Sequence, residues 1–305
     1  MTTAIAPTRE SWELHQGSEI DDSLVAIEHL GGGTRYEVFR AWDRVLFCQV
    51  AVKVIRPHRV ADDRVIDGFA REVGVASRLQ HPNLVRLLRW SGAPPRPYMV
   101  LEYITAQTVA RHLDDVGVVT VPETCLLGIR MLSALNYLHS NRVLHLDVKP
   151  DNVTMGDPPR LLDLSLAQSF AMPVRLRHAM GTMAYMPPEQ CEHGLVSPQS
   201  DLYSLGVTLY EALSGLRPFA EGEEDATDRA LRYPQLVEDP QPIGEVADLP
   251  NDLERVIMAC LQRDPDRRPQ TAIEVAVMLE SVLESLGTDE LYAWPKGLRV
   301  RSRSR

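Results

Sequence analysis

The segment His145-Leu146-Asp147-Val148-Lys149-Pro150-Asp151-Asn152 places two carboxylates, an ammonium and an amide within eight residues. It follows a strongly apolar segment, Leu126 to Leu138, and precedes the short run Val153-Thr154-Met155. Further on, Asp163 stands alone between apolar neighbours in Leu161-Leu162-Asp163-Leu164. Charged groups are costly to bury unless they are paired or bound to a metal. A loop rich in ionisable groups, held between a buried helix and two short strands, therefore has the layout of a site. The plainer alternative is a solvated loop in which acids happen to cluster.

The chemistry these residue types fit is phosphoryl transfer. That reaction needs divalent cations across the phosphates, a carboxylate to orient the attacking hydroxyl, and positive charge on the moving group. Asp163 and Asn152 offer hard oxygen ligands for magnesium, with manganese as an alternative. Asp147 can accept the hydroxyl proton, and Lys149 can sit against the transferred phosphate. The stretch resembles the catalytic loop of eukaryotic-like protein kinases, commonly His-Arg-Asp-Leu-Lys-Pro-x-Asn.

Composition sets the outer bounds. The chain has 305 residues, 44% hydrophobic and 24% charged, which fits a single large or two-lobed soluble unit with a full core. A net charge of −10 argues against non-specific binding to nucleic acid or anionic membrane. Cys48, Cys125, Cys191 and Cys260 are widely spaced without a C-x-x-C pair, as reduced thiols of a cytoplasmic protein would be. No run approaches the ~18 apolar residues of a spanning helix, and the first residues lack the apolar run of a signal peptide.

Other parts of the kinase pattern occur in order. Leu24 to Ala41 reads as strand, glycine turn and strand, with Gly31, Gly33 and Val38 matching G-x-G-x-x-G-x-V. Tyr36 stands where the third glycine belongs, so the loop tip is expected to be stiffer and the tyrosine to shield the phosphates. In Gln49-Val50-Ala51-Val52-Lys53-Val54-Ile55 one lysine interrupts a buried-strand pattern. Such a lysine either snorkels from an edge strand or has a partner. A helix opening at Asp62 offers Glu72 near its inward face, and a Lys53–Glu72 ion pair is the economical account. Pro97 to Ile104 reads as a last small-lobe strand and hinge. By resemblance, Ala51 belongs to the nucleotide pocket, Leu101 lines the back of the adenine site, and the backbones of Glu102 and Ile104 pair with adenine. Thr154 takes a normally apolar position beneath the base. Val153 to Leu162 reads as a short hairpin around Gly156-Asp157-Pro158-Pro159.

Asp163-Leu164-Ser165 stands where kinases carry Asp-Phe-Gly, and Gly181 to Glu189 resembles the G-T-x-x-Y-M-A-P-E block, with Pro187 replacing its alanine. Leu146 replaces the arginine that normally neutralises an activation-loop phosphate, and no serine, threonine or tyrosine lies between Ala171 and Met180. These two departures agree with each other. The helix from Asp201 resembles the central large-lobe helix whose first aspartate props the catalytic loop, and Arg268 is expected to pair with Glu189. Ile273, Val275, Met278, Leu279, Val282 and Leu283 form a final amphipathic helix.

The resemblance covers residues 24 to 286 and implies an α+β, bilobal kinase fold, with a small mostly-β N-lobe carrying one key helix and a larger mostly-α C-lobe. The expected divisions are an N-terminal arm at 1–20, mobile or loosely docked, N-lobe at 21–104, C-lobe at 105–286 and a basic tail at 287–305. Lys149 points to the serine/threonine class, and the compact size resembles bacterial Hanks-type kinases. The implied activity is ATP-dependent phosphorylation of serine and threonine hydroxyls on protein substrates. Asp147 and Lys149 would be catalytic, Asn152 and Asp163 would hold metal, and Lys53, tied to Glu72, would steady the phosphates. A pseudokinase scaffold or allosteric partner is the alternative, and a small-molecule kinase a third.

Overall fold

A computed structural model describes residues 10–170, 174–176 and 178–287. The first part is a six-stranded antiparallel sheet in the order β1-β2-β3-β4-β6-β5. Its strands are β1 (Glu19–Asp21), β2 (Leu24–Gly31), β3 (Tyr36–Asp43) and β4 (Cys48–Ile55). After helix α1 (Asp63–Ala76) come β5 (Leu87–Ser91) and β6 (Tyr98–Glu102). Period-two alternation gives the sheet two apolar faces. Phe39, Ala41, Val52 and Val54 form one face, against which Trp12 and Leu14 pack. Tyr36, Ile55 and Met99 lie on the other and meet Val65, Phe69 and Val73 of α1. The Asp62 side chain accepts from Arg64 N and caps α1, as its sequence position predicts.

The second part is helical, with α2 (Val109–Asp115) and α3 (Val121–Ser140) first. The His145–Asn152 stretch follows β7 (Val143–Leu144), which pairs with β8 (Gln168–Ser169). Then come β9 (Val174–Arg175), α4 (Pro188–Cys191), β10 (Leu195–Val196), α5 (Pro198–Ser214), α6 (Arg229–Arg232), α7 (Asn251–Cys260) and α8 (Ala272–Ser285). Helices α3, α5, α7 and α8 share one core. Helix α5 is buried on nearly every side, so its apolar residues are not confined to one stripe. A Cβ on Gly206 would lie 2.8 Å from Cys260 Cβ, so glycine sets the α5–α7 approach.

Three expectations change. The arm is not loose over its described part, because residues 10–18 dock on the sheet and the division at residue 20 cuts through β1. The Val153–Leu162 hairpin reduces to one bridge, Val153 to Leu161, flanked by Thr154 N donating to Arg160 O at 3.0 Å. Ile273 faces outward at the start of α8, while Val275, Leu279, Val282 and Leu283 are buried. Residues 288–305 of the predicted tail lie outside the described residues. Among the described residues no helix is long and apolar enough to cross a membrane.

Candidate active site

The His145–Asn152 stretch is held by a carboxylate beneath it. Asp201, fully buried in the first turn of α5, accepts from His145 N at 3.0 Å, from Leu146 N at 2.8 Å and shares a 2.8 Å hydrogen bond with His139 Nε2. Burial pushes this carboxyl up, but the hydrogen bond and charge of His139, with the charge and amide of His145, hold it below the ordinary aspartate value. The anchorage lets Leu146 keep φ +62°, a left-handed conformation that costs a side-chain-bearing residue energy. Buried His145 reaches across to Leu162 O at 3.0 Å and so ties the loop to the segment carrying Asp163. Asp163 itself sits at φ +56°.

Pro150 opens a 3-10 turn, Pro150–Asn152, that aims Asn152 back at Asp147. Asn152 Nδ2 donates to Asp147 O at 2.8 Å and Oδ2 at 3.1 Å. Lys149 Nζ lies 3.3 Å from Asp147 Oδ2 and donates to Thr182 Oγ1 at 2.6 Å. Thr182 in turn donates its amide and hydroxyl to Asp147 Oδ1, at 3.1 and 3.0 Å. Thr182 thus closes a ring with Asp147 and Lys149. In the sequence it is only one letter of a longer block, and its role is set by chain segments brought together from 35 residues apart.

Opposite stands the second cluster. Lys53 Nζ donates to Glu72 Oε1 at 2.7 Å and to Asp163 Oδ1 at 2.8 Å, joining sheet, helix α1 and the Asp163 segment. Burial works against the Lys53 charge, but the carboxylates of Asp163 and Glu72 outweigh it and hold the ammonium well above the usual lysine range. Asp163 is likewise pushed up by burial and pulled below its ordinary value by Lys53 and the Ser165 amide. Glu72 moves up through burial, opposed by Lys53. The Tyr36 ring does not stand at the loop tip. It turns under the sheet into the α1 cluster and covers Lys53, with Nζ 4.5 Å from the ring centroid.

The residues expected to line a nucleotide pocket fall in register along these strands. Gly31 pairs with Val38, Val38 with Lys53, and Ala51 with both Arg40 and Leu101. Gly31 and Gly32 take φ +133° and +150°, and a Cβ on Gly32 would lie 2.3 Å from Tyr36 O, so these two positions call for glycine. Gly33 follows at the exposed tip of the turn. The Ile104 amide, just past β6, has no acceptor among the described residues. The Glu102 side chain is taken by Arg86 and Arg160. Thr154 is not open to a ligand through its hydroxyl, because the residue is buried and Oγ1 accepts from Arg160 N at 2.8 Å.

A magnesium–nucleotide pair fits this donor set. Asn152 uses its amide nitrogen on Asp147, which leaves Oδ1 for a cation, and 37% of the Asp163 side chain remains open beside Lys53. Two protein oxygens suit magnesium, which takes its remaining ligands from phosphates and water. The free Ile104 amide and the glycine turn suit base and phosphates respectively.

Comparison with known proteins agrees with this geometry. Residues 24–279 match the protein kinase domain family. The chain is 29% identical over 274 residues to the serine/threonine-protein kinase PrkC of Bacillus subtilis (strain 168), covering 88% of this chain and 42% of that protein. It is 32% identical over 276 residues to the serine/threonine-protein kinase PknB of Mycobacterium tuberculosis (strain ATCC 25618 / H37Rv), covering 87% and 44%. To PknB of Mycolicibacterium smegmatis it is 33% identical over 273 residues, covering 86% and 43%. The chain spans less than half the length of these curated relatives. With its sheet, its helical lobe and the match over most of its length, the chain belongs to the protein kinase domain family.

Proposed function

We propose that this chain transfers the γ-phosphoryl group of ATP to serine or threonine hydroxyls of protein substrates. The observation that carries this reading is the ring of Asp147, Lys149 and Thr182, with Asn152 bonded to Asp147, on one side, and Asp163 beside the Lys53–Glu72 pair on the other. Asp147 orients the substrate hydroxyl and takes its proton as the oxygen attacks the γ-phosphorus. The bond from that phosphorus to the β-phosphate bridging oxygen breaks, and ADP departs with the electron pair. Lys149 stabilises the charge on the transferring group, and Lys53 holds the α- and β-phosphates. A magnesium ion held by Asp163 and Asn152 would neutralise charge between the phosphates.

The same reading extends to control. Leu146 packs in an apolar cluster with Leu144, Leu176 and Val196, joined by Phe170, Val174 and Met180. Apolar packing thus occupies the place where an arginine and a phosphate would meet, which supports activity without activation-loop phosphorylation. Thr182 is already bonded to Asp147 and Lys149, and a phosphate there would meet the Asp147 carboxylate.

The test is transfer of label from ATP with magnesium, to the chain itself and to a generic basic protein, with Asp147→Asn as control. Label in the native chain and none in the variant is expected. Nucleotide binding without transfer would overturn the reading in favour of a scaffold. Stoichiometric phosphate on Ser169 or Thr182 that switches activity on would sink the control proposal.

A further inference from the structure

Glu37 is a buried carboxylate in β3, 1% exposed, only a few residues past the glycine turn. A buried carboxylate persists where hydrogen bonds and a counter-charge replace water. Two of the groups that satisfy it come from the N-terminal segment. The Ser11 hydroxyl donates to Oε1 at 2.6 Å and the Trp12 amide to Oε2 at 3.0 Å. The permanent counter-charge is Arg56, with Nη1 3.5 Å from Oε1, and His29 Nε2 lies 3.9 Å from the same oxygen.

Arg56 is itself a fork. Its Nε donates to Gly33 O at 2.8 Å, inside the glycine turn, and its Nη1 donates to Glu10 O at 3.1 Å, in the arm. Its backbone amide donates to Arg35 O at 2.9 Å, on the far side of the same turn. The Trp12 ring lies against the sheet, and its Nε1 donates to Ile55 O at 2.7 Å. Arm, carboxylate, guanidinium and glycine turn therefore form one continuous polar network. The turn between Gly32 and Arg35 is otherwise exposed.

We infer that residues 10–12 are a latch that positions the glycine turn through Glu37 and Arg56, and so set nucleotide affinity, a role that rests on reading Gly31–Gly33 as the phosphate-binding element. Ser11, Trp12, Glu37 and Arg56 are positioning residues in this scheme, since none touches the reacting atoms. Displacing the arm removes two donors from Glu37 and one anchor from Arg56. The turn is then freed while Lys53, Asp147 and Asp163 keep their contacts.

The test uses the full chain with Ser11→Ala, Ser11→Thr and Trp12→Ala. Affinity for a non-hydrolysable ATP analogue with magnesium is measured by titration calorimetry, and amide hydrogen exchange is followed at residues 31–36. Ser11→Ala and Trp12→Ala are expected to weaken the analogue roughly tenfold, the size of an ordinary coupling between sites. They are also expected to speed exchange in the turn and raise KM for ATP while kcat holds, with Ser11→Thr restoring native values. Ser11 is exposed and its alanine variant keeps the Trp12 ring seated, so it reads the latch even where Trp12→Ala unfolds. Unchanged affinity and unchanged exchange in a folded Ser11→Ala chain overturn the inference. If the native chain binds no nucleotide, the site reading falls instead, and the exchange rates alone decide whether the arm holds the turn.

Discussion

Tyr36 covers Lys53 from within the sheet–helix cluster, at 4.5 Å from ring centroid to Nζ, although sequence alignment of the motif puts a third glycine at that position. A buried aromatic ring over an ammonium contributes both area and a cation–π attraction. It packs with Ile55, Phe69 and Val73, so one side chain joins the sheet to α1 at the point where Lys53 meets Glu72. Burial, then the Glu72 charge, pushes the phenol up to about 12, so it stays neutral beside the ion pair at physiological pH.

From this contact a reversal of the usual glycine preference follows. Tyr36→Gly is expected to destabilise the chain by about 3–5 kcal/mol, the range for deleting a large buried ring, and to lower phosphate transfer. Tyr36→Phe keeps the ring and is expected to stay near native in both. Denaturant unfolding and labelled-ATP assays check this. A Tyr36→Gly chain that is as stable as the native one and more active would show instead that the ring acts as a lid.

Much of the candidate site was readable because its ionisable residues are concentrated in short runs. Asp147, Lys149 and Asn152 lie within six positions, and the apolar strand around Lys53 makes a partner such as Glu72 necessary. The cap at Asp62 and the Arg268–Glu189 pair were readable for similar local reasons. The arm was not, because Ser11 and Trp12 meet Glu37 across 26 and 25 positions and no periodicity marks such a contact. The inward turn of Tyr36 was hidden for a different reason. Its direction follows from strand register against Ile55, which the glycine motif does not encode. The Thr154 hydroxyl is likewise engaged by a backbone donor, Arg160 N, that only the folded chain brings near.

Arg268 and Glu189 form a two-pronged ion pair, Nη1 to Oε1 and Nη2 to Oε2, both at 2.8 Å. Arg268 also donates to the carbonyls of Gln262, Arg263 and Gln199. Removing one partner of such a buried pair costs about 3–5 kcal/mol, so Arg268→Ala is expected to lower the unfolding midpoint sharply. Arg268→Lys is expected to recover little, since an ammonium cannot reproduce the fork. Because the pair stands apart from the reacting groups, KM for ATP in the remaining folded fraction should not move. A change in KM without a change in stability would contradict a structural role.

Asp201 gives the acid side of the stability profile a specific signature. Its folded pKa lies below the ordinary value of 3.8. The unfolded chain therefore takes up the proton first, and the stabilisation is full above that value and drains as pH falls through the lower folded one. Asp163 shifts the same way, while Glu72 shifts up and contributes with opposite sign. Asp201→Asn is expected to cost about 1–3 kcal/mol at neutral pH, the penalty for weakening a buried hydrogen-bond acceptor. Its stability should then fall less steeply on acidification than that of the native chain. Thermal melts across the acid range compare the two slopes, and parallel slopes would rule the Asp201 contribution out.

The cluster around Leu146 decides how the activation segment is held. Leu146 and Leu176 are both buried, and Phe170, Val174 and Met180 pack against them. Leu176→Ala should therefore cost about 2 kcal/mol or more, the range for truncating a buried leucine, and should reduce transfer by loosening the segment beside Asp147. Leu146→Arg restores the usual kinase residue but buries a guanidinium among apolar side chains, with no phosphorylatable residue between Ala171 and Met180 to meet it. It is expected to lower both stability and activity, and prior incubation with ATP should not rescue it. Urea unfolding and labelled-ATP transfer read the two variants side by side. A Leu146→Arg chain that gains activity after incubation with ATP would mean that a phosphate reaches the arginine, and that apolar packing is not what holds the segment.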